Sequence, residues 1–202
     1  MLYRRKIPPT DKNLSDMLLS NGWQKIKEPK NLITTLALSI PFMIFNATIT
    51  ILLVSPVRNW LVDLGSSVLG DGGFAFSIRL IYLPVFFVFL IVHELLHVVL
   101  VPNFIKSRKT FWGITPFGGF VSTTEEMSKT RFVLLCVFPF VVLSLIMPIV
   151  FSLLGLFSGF IAFLALLNAL SSSIDIFNMF LIGIQVPNGS CIINNGFETY
   201  HN

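Results

Sequence analysis

Residues 80–101, LIYLPVFFVFLIVHELLHVVLV, decide what kind of fold this chain can adopt. The stretch is long enough to cross the hydrocarbon layer of a bilayer, which takes about 20 apolar residues. It nevertheless contains three ionisable side chains, His93, Glu94 and His97. Such groups are costly at membrane depth unless they are partnered, and they usually mark a functional site. The stretch therefore predicts a membrane helix that contains part of a functional site.

The composition of the whole chain agrees with a membrane protein. Of its 202 residues, 54% are hydrophobic and only 12% are charged, whereas about 25% of the residues of a soluble globular domain are charged. The mean hydropathy is +0.81. These values exclude a collagen, a coiled coil and a disordered chain. The two cysteines, Cys136 and Cys191, lie far apart without a CxxC spacing, exclude a disulfide scaffold, and are interpreted as buried thiols.

Four apolar runs organise the chain. They are residues 32–54, 80–101, 132–154 and 156–184. The last run is longer than one upright helix needs and has three serines in its middle, so it is either one tilted helix or two broken halves. We predict an all-α membrane protein with about four transmembrane helices and a short β-hairpin-like loop between the second and third spans.

The distribution of basic residues orients this bundle. Residues 1–31 hold seven Lys and Arg, the 102–131 connection holds five, and the 55–79 connection holds two. The two richer segments are therefore predicted to be cytoplasmic. We divide the chain into a cytoplasmic basic segment (1–31), a transmembrane domain (32–184) and a short C-terminal tail (185–202). The basic segment is expected to meet anionic lipid headgroups rather than nucleic acid, because no nucleic-acid-binding motif accompanies the charge.

The sequence His93-Glu94-Leu95-Leu96-His97 is an HExxH motif. Residues four apart face the same side of a helix, so both imidazoles can reach one ion with Glu94 beside them, which suits zinc. The chain has only three His, and chance would produce the motif in roughly one of a thousand sequences of this composition. The alternative is a pair of core histidines bonded to backbone carbonyls, with Glu94 paired to one of them.

A catalytic zinc takes three protein ligands and keeps one position open, so the motif needs one more ligand. Of the ten acidic residues, only Glu94 and Asp175 fall inside apolar runs. Coordination of a dication would offset the cost of burying Asp175. We therefore predict that His93, His97 and Asp175 bind Zn²⁺ and that Glu94 is the catalytic base. The alternative for Asp175 is pairing with a neighbouring hydroxyl or amide.

Polar residues recur at helical steps around Asp175. Asn168 and Ser172 belong to this stripe, which should face the bundle interior if the segment is helical. They are candidates for fixing the carboxylate or for steadying a reacting carbonyl. Hydrogen bonding between helices is the alternative for each of them.

Residues 115–123, TPFGGFVST, contain Gly118 and Gly119. Alternation around a Pro and a Gly-Gly pair predicts a short hairpin there. The hairpin is either an interfacial turn anchored by Trp112 or an edge strand that holds a substrate polypeptide extended beside the metal.

In this order, the landmarks resemble those of a known group of enzymes. The HExxH helix, the Gly118-Gly119 hairpin and Asp175 in a later span are similar to the motifs of site-2-protease-type intramembrane zinc metalloproteases. A closer resemblance is to the putative zincin peptidase family of small four-span bacterial membrane proteins. Two positions depart from the site-2-protease pattern, because Ile176 replaces the usual Gly and Val142 stands where an Asn is expected.

The resemblance implies an integral protein of the bacterial cell membrane that hydrolyses a peptide bond in a membrane-embedded or juxtamembrane substrate. Zinc would activate a water molecule, and Glu94 would serve as general base and then general acid. Two alternatives use the same ligands or the same fold. One is a metal-binding transporter or sensor without hydrolase activity, and the other is a catalytically silent scaffold.

Overall fold

The described part of the chain is mostly helical, as predicted. The computed structural model describes residues 1–6, 8–29, 31–54, 82–115 and 118–202. The 55–79 connection and the centre of the predicted hairpin turn lie outside these residues. The helices are α1 (Lys12–Ser20), α2 (Leu32–Val54), α3 (Tyr82–Leu100), α4 (Lys129–Pro139), a π-helix (Phe140–Ile146), α5 (Met147–Leu153), α6 (Gly159–Ser171) and α7 (Ser173–Gln185).

Three helical segments are long and apolar enough to cross a bilayer. They are Ile33–Leu53, Lys129–Leu153 and Gly159–Gln185. The exposure of side chains on α2 is inverted relative to a soluble helix, since Ile33 is 80% exposed whereas Asn46 is completely buried. Contact with lipid would explain this inversion, and the three apolar helices support the prediction of a membrane protein. The apolar part of α3, Pro84–Leu100, is shorter, so the fourth span stays a prediction.

Residues 156–184, for which the sequence left one or two helices open, form α6 and α7 with a break at Ser172. Carbonyl groups at a helix end need partners from elsewhere. The side-chain amide of Asn46 donates to the Ala169 carbonyl at 3.0 Å. This bond ties α2 to the break between the two helices, against both of which α2 packs.

Pro139 changes the hydrogen bonding of the third apolar run. Proline has no N–H, so the carbonyl of Leu135, four residues earlier, has no partner within its own helix. The chain directly after Pro139 forms the π-helix, a local widening that is frequent at functional sites. α4 packs against α3, and the π-helix packs against α6. The free Leu135 carbonyl and the π-helix therefore both lie on elements that pack against helices of the predicted site.

The described residues also contain short strands in two sheets. The strands are β1 (Leu2–Tyr3), β2 (Gln24–Lys25), β3 (Thr110–Thr115), β4 (Gly118–Thr123), β5 (Met127–Ser128), β6 (Cys191–Asn195) and β7 (Glu198–His201). One sheet has the order β1-β3-β4, and the other has the order β2-β7-β6-β5. In the first sheet, β3 and β4 are antiparallel and β1 runs parallel to β3.

The second sheet joins the N-terminal segment to the C-terminal tail, a structure that the sequence analysis did not predict. β7 pairs with β2, where His201 lies opposite Gln24. The β6–β7 hairpin turns at Gly196, which has φ of 63°. A Cβ there would lie 2.5 Å from the Thr10 backbone nitrogen, so both the backbone conformation and the space require glycine. Tyr200, 1% exposed, is at the core of this unit.

The two cysteines differ in their surroundings. Cys136 on α4 is buried, as predicted, but Cys191 at the start of β6 is only half-buried. A hydrogen bond from the Cys191 thiol to the Glu126 carboxylate raises the pKa of this thiol. The prediction of two buried thiols is therefore right for Cys136 alone, because Cys191 opens a strand at the surface next to an exposed acid.

Candidate metal centre

Two helices, α3 and α7, bring the predicted metal ligands together. The Nε2 atoms of His93 and His97 each lie 3.6 Å from Oδ2 of Asp175. One ligand atom from each of the three residues lies within 4.8 Å of the others. Two ligands of a tetrahedral zinc bound at 2.0–2.2 Å lie about 3.4 Å apart. The donor set therefore fits zinc in both chemistry and spacing.

His97 is oriented by the carbonyl that Pro139 leaves without a helical partner. Its Nδ1 lies 2.9 Å from the Leu135 oxygen. A carbonyl oxygen only accepts, so Nδ1 carries the proton and donates it. In a neutral imidazole this leaves the lone pair on Nε2, the nitrogen that faces Asp175. The bond to a backbone carbonyl, which the sequence analysis gave as an alternative to metal binding, is therefore compatible with it.

His93 is oriented by Asn168. The Nδ1 of His93 lies 2.8 Å from Oδ1 of Asn168. The Asn168 amide nitrogen donates to the Pro139 carbonyl at 3.2 Å and to the Ser144 hydroxyl at 2.8 Å, which fixes the amide with its oxygen toward His93. His93 thus donates from Nδ1 and presents its Nε2 lone pair to Asp175. Both histidines are held in the tautomer that binds a metal.

The structure places Asn168 and Ser172 differently from the sequence expectation. Asn168 contacts His93 rather than the Asp175 carboxylate. Ser172 is completely buried, and its hydroxyl lies 3.5 Å from the Asn168 amide nitrogen. Asn168 therefore acts directly on His93, and Ser172 acts through Asn168. The contribution of Ser144 and of the Leu135 carbonyl was missed, although a proline four residues after Leu135 is a signal for a free carbonyl.

Replacing Asn168 by Ala is expected to weaken zinc binding about 10- to 100-fold, the usual effect of removing a group that orients a metal-bound histidine. His93 would lose the acceptor that holds its Nδ1 proton. Zinc affinity is measured by competition with a chromophoric chelator. Asn13→Ala, at an exposed position on α1, is the matched control and should bind zinc like the wild type. Unchanged affinity in Asn168→Ala would contradict the orienting role.

Glu94 lies beside the ligand group and contacts the hairpin. The Val121 backbone N–H donates a hydrogen bond to its carboxylate. Gly119 lies so close that a Cβ there would be 2.6 Å from Cγ of Glu94. Among the described residues, the group able to share a metal consists of His93, His97 and Asp175, without Glu94. A carboxylate near the metal but not bound to it has the position of a general base.

A cavity of about 450 Å³ surrounds these groups. Its walls come from α3, β4, β5, α4, α6, α7 and the C-terminal tail. The polar side chains in its lining are His93, Glu94, His97, Thr123, Ser171, Asp175, Asn178 and Asn194. Asn178 follows Asp175 by three residues on α7, so the two side chains lie on the same side of that helix. Asn194 was missed, because nothing in the tail sequence indicates that it folds back to the cavity.

Comparison with known protein families gives a match. A family model described as putative zincin peptidase matches residues 86–191, slightly more than half of the chain. The matched range contains the HExxH motif, the β3–β4 hairpin, the Pro139 region and Asp175. Neither a curated protein nor a solved structure matches the chain.

Proposed function

Because the chain belongs to the putative zincin peptidase family, we propose that it is an intramembrane zinc peptidase that cuts a membrane-embedded or juxtamembrane substrate. The observation that carries the proposal is the convergence of both HExxH histidines on Asp175, with Glu94 next to them. A structural zinc site closes with four protein ligands, whereas a catalytic one has three and keeps a position for water. The described residues supply three ligands, which favours the catalytic type.

The proposed chemistry divides between the metal and Glu94. Zinc held by His93, His97 and Asp175 supplies a Lewis acid that polarises a carbonyl and lowers the pKa of water. Glu94 takes the proton of the attacking water and returns it to the leaving amine. The hydrogen bond from the Val121 N–H holds this carboxylate in place between the histidines and β4.

β4, the outer strand of its sheet among the described residues, is proposed to receive the substrate along its edge. The Arg4 N–H donates to the Trp112 carbonyl at 2.8 Å, so the main-chain groups of Trp112 point toward β1. Val121 lies opposite Trp112, and in an antiparallel ladder its N–H then points away from β3, toward Glu94. An extended peptide that pairs with this edge brings its scissile bond to Glu94. A helical substrate would first unwind, because its own hydrogen bonds hide its peptide groups.

We further propose that the protein lies in a bacterial cell membrane with its N-terminus in the cytoplasm, the orientation that the basic segments favour. At 1.5 Å per residue, His97 lies about 5 Å and His93 about 10 Å from the end of α3 at Leu100. That end would be the cytoplasmic one. Water therefore has a short path from the cytoplasm to the site.

The test is metal-dependent proteolysis by the purified protein. Protein in detergent is stripped with a chelator, reloaded with zinc and incubated with a set of transmembrane peptides, and the products are identified by mass spectrometry. We expect one zinc per chain and cleavage that disappears with the chelator and returns with zinc. Zinc binding without cleavage, combined with zinc flux into proteoliposomes, would instead support a transporter.

Gly119→Ala is expected to lower turnover by up to about 100-fold, the loss that a displacement of about 1 Å at a reacting group can cause. The added Cβ would lie 2.6 Å from Cγ of Glu94, so either the carboxylate or β4 must move. Zinc binding should persist, because the ligands lie elsewhere. Gly183→Ala is the matched control, since a Cβ there meets no atom within 4 Å. Equal turnover in both variants would contradict the proposed contact between β4 and Glu94.

A further inference from the structure

One surface beside the hairpin gathers basic and aromatic side chains from two distant parts of the sequence. β1 places Leu2 opposite Phe111 and Tyr3 opposite Trp112. The N-terminal residues therefore lie along the segment that follows α3. The surface, which we term the basic–aromatic patch, consists of Tyr3, Arg4, Arg5, Lys106, Arg108, Lys109 and Trp112. All seven side chains are exposed.

The patch has strong positive charge and a fixed aromatic pair. Within the described parts of the chain, none of its five cations forms an ion pair with a carboxylate. The rings of Tyr3 and Trp112 contact edge to face at 5.3 Å between centroids. They remain 54% and 37% exposed, so both rings are accessible to a partner at this surface. The patch therefore matches a partner that is anionic at one level and apolar just below it.

The order of the residues along the hairpin shows on which side of the patch the apolar level of such a partner would lie. The three cations of residues 106–109 precede β3, and Trp112 follows Lys109 by about 10 Å at 3.3 Å per residue. Further along the hairpin, Gly119 touches Glu94 in the apolar helix α3. For these three cations, charged side chains, then aromatic rings, then an apolar helix is the order found from the headgroups to the hydrocarbon of a bilayer. Arg4 follows Tyr3 on the segment parallel to β3, but its guanidinium group reaches back over the Phe111 ring, 5.5 Å from the centroid.

We propose that the basic–aromatic patch binds anionic lipid headgroups and thereby sets the depth of β4 against Glu94. Headgroup phosphates pair with the five cations, and the Tyr3–Trp112 pair lies at the boundary with the acyl chains. Each cation near such a surface contributes about fivefold to binding. The patch and Glu94 are connected through β3 and β4. Lipid binding would therefore control the strand that holds the substrate, a consequence that rests on the proposed peptidase function.

The experiment follows Trp112 as a reporter in the full-length protein. Trp23 and Trp60 are replaced by Phe, and the protein is placed in nanodiscs of phosphatidylcholine, either alone or mixed with phosphatidylglycerol. Acrylamide quenching of Trp112 should decrease with phosphatidylglycerol and recover in high salt. Removing two of the five cations, in Arg108→Gln/Lys109→Gln, should reduce this lipid-dependent change by about half or more. Zinc binding verifies that the variant is folded.

The matched control is Lys12→Gln/Lys27→Gln, which removes the same charge from two exposed positions outside the patch. It should respond to phosphatidylglycerol like the wild type. An equal response in the two double variants, or no response of Trp112 to the anionic lipid, would overturn the proposal. Cleavage is measured in parallel, and phosphatidylglycerol should raise it only where the patch is intact. If no lipid supports cleavage, the peptidase function fails, whereas the Trp112 signal still decides whether the patch binds lipid.

Discussion

Glu94→Gln is expected to bind zinc like the wild type and to lose turnover by about 10²–10⁴-fold, the range typical of general acid–base catalysis. The carboxamide has almost the shape of the carboxylate, and its oxygen can still accept the Val121 N–H. It cannot take up a proton from water. Because Glu94 does not belong to the group of three described residues that could share a metal, the metal should remain in place.

The comparison needs zinc content and cleavage rate on the same preparation. Zinc is measured by elemental analysis, and the rate is measured under single-turnover conditions so that product release does not mask the chemical step. Glu126→Gln makes the same chemical change at an exposed position and should cleave like the wild type. Wild-type turnover in Glu94→Gln would remove Glu94 from the mechanism, although the metal site would stand.

Asp175→Ala is expected to lose both zinc and activity. Removal of a residue that only orients a ligand weakens metal binding about 10- to 100-fold, and loss of a ligand itself should exceed 100-fold. The Asp175 carboxylate also supplies the negative charge that both Nε2 atoms face at 3.6 Å. Without it, two neutral imidazoles remain, and a zinc with two protein ligands is far from the usual three or four.

His93→Ala should behave in the same way, and the chain provides controls for both residue types. Asp16 is exposed on α1, and His201 lies on β7, far from α3 in sequence. Asp16→Ala and His201→Ala should keep stoichiometric zinc, measured by competition with a chelator. Stoichiometric zinc in Asp175→Ala would show that another group completes the site and would contradict the ligand set.

The candidate metal ligands could be predicted because the type and spacing of their side chains are visible in the sequence. The i, i+4 spacing of His93 and His97 requires only a helix to bring both rings to one side. Asp175 stood out because it is one of two acids in apolar runs. The structure places these three residues together because α3 and α7 both face the bundle interior, where an ionisable group can find a partner.

The groups that orient the histidines could not be predicted in the same way. Leu135 acts through its backbone carbonyl, so its side chain gives no indication of this role. Its availability depends on Pro139, and its use depends on the packing of α4 against α3. Asn168 was recognised as polar and inward-facing, but an amide has both a donor and an acceptor, and only the packing decides which neighbour it contacts.

The small sheets were the least predictable part of the fold. β2 and β5 have two residues each, too few for alternation of apolar and polar residues to be visible. The tail did contain a signal, because Asn195-Gly196 lies between two short runs of strand-forming residues. The pairing of this hairpin with residues at the other end of the chain is a long-range contact, which local patterns do not specify.

The pairing of β2 with β7 has a consequence for the order of assembly. Residue 24 leaves the ribosome long before residue 201, and at 5–20 residues per second the delay is roughly 10–40 s. During this time the intervening hydrophobic helices enter the bilayer, and β2 has no β7 to pair with. Asn194 follows the last helix in the chain, so the part of the cavity wall that it forms can be completed only after the helices have been inserted. A partly synthesised chain therefore carries the predicted metal ligands before its substrate cavity is complete.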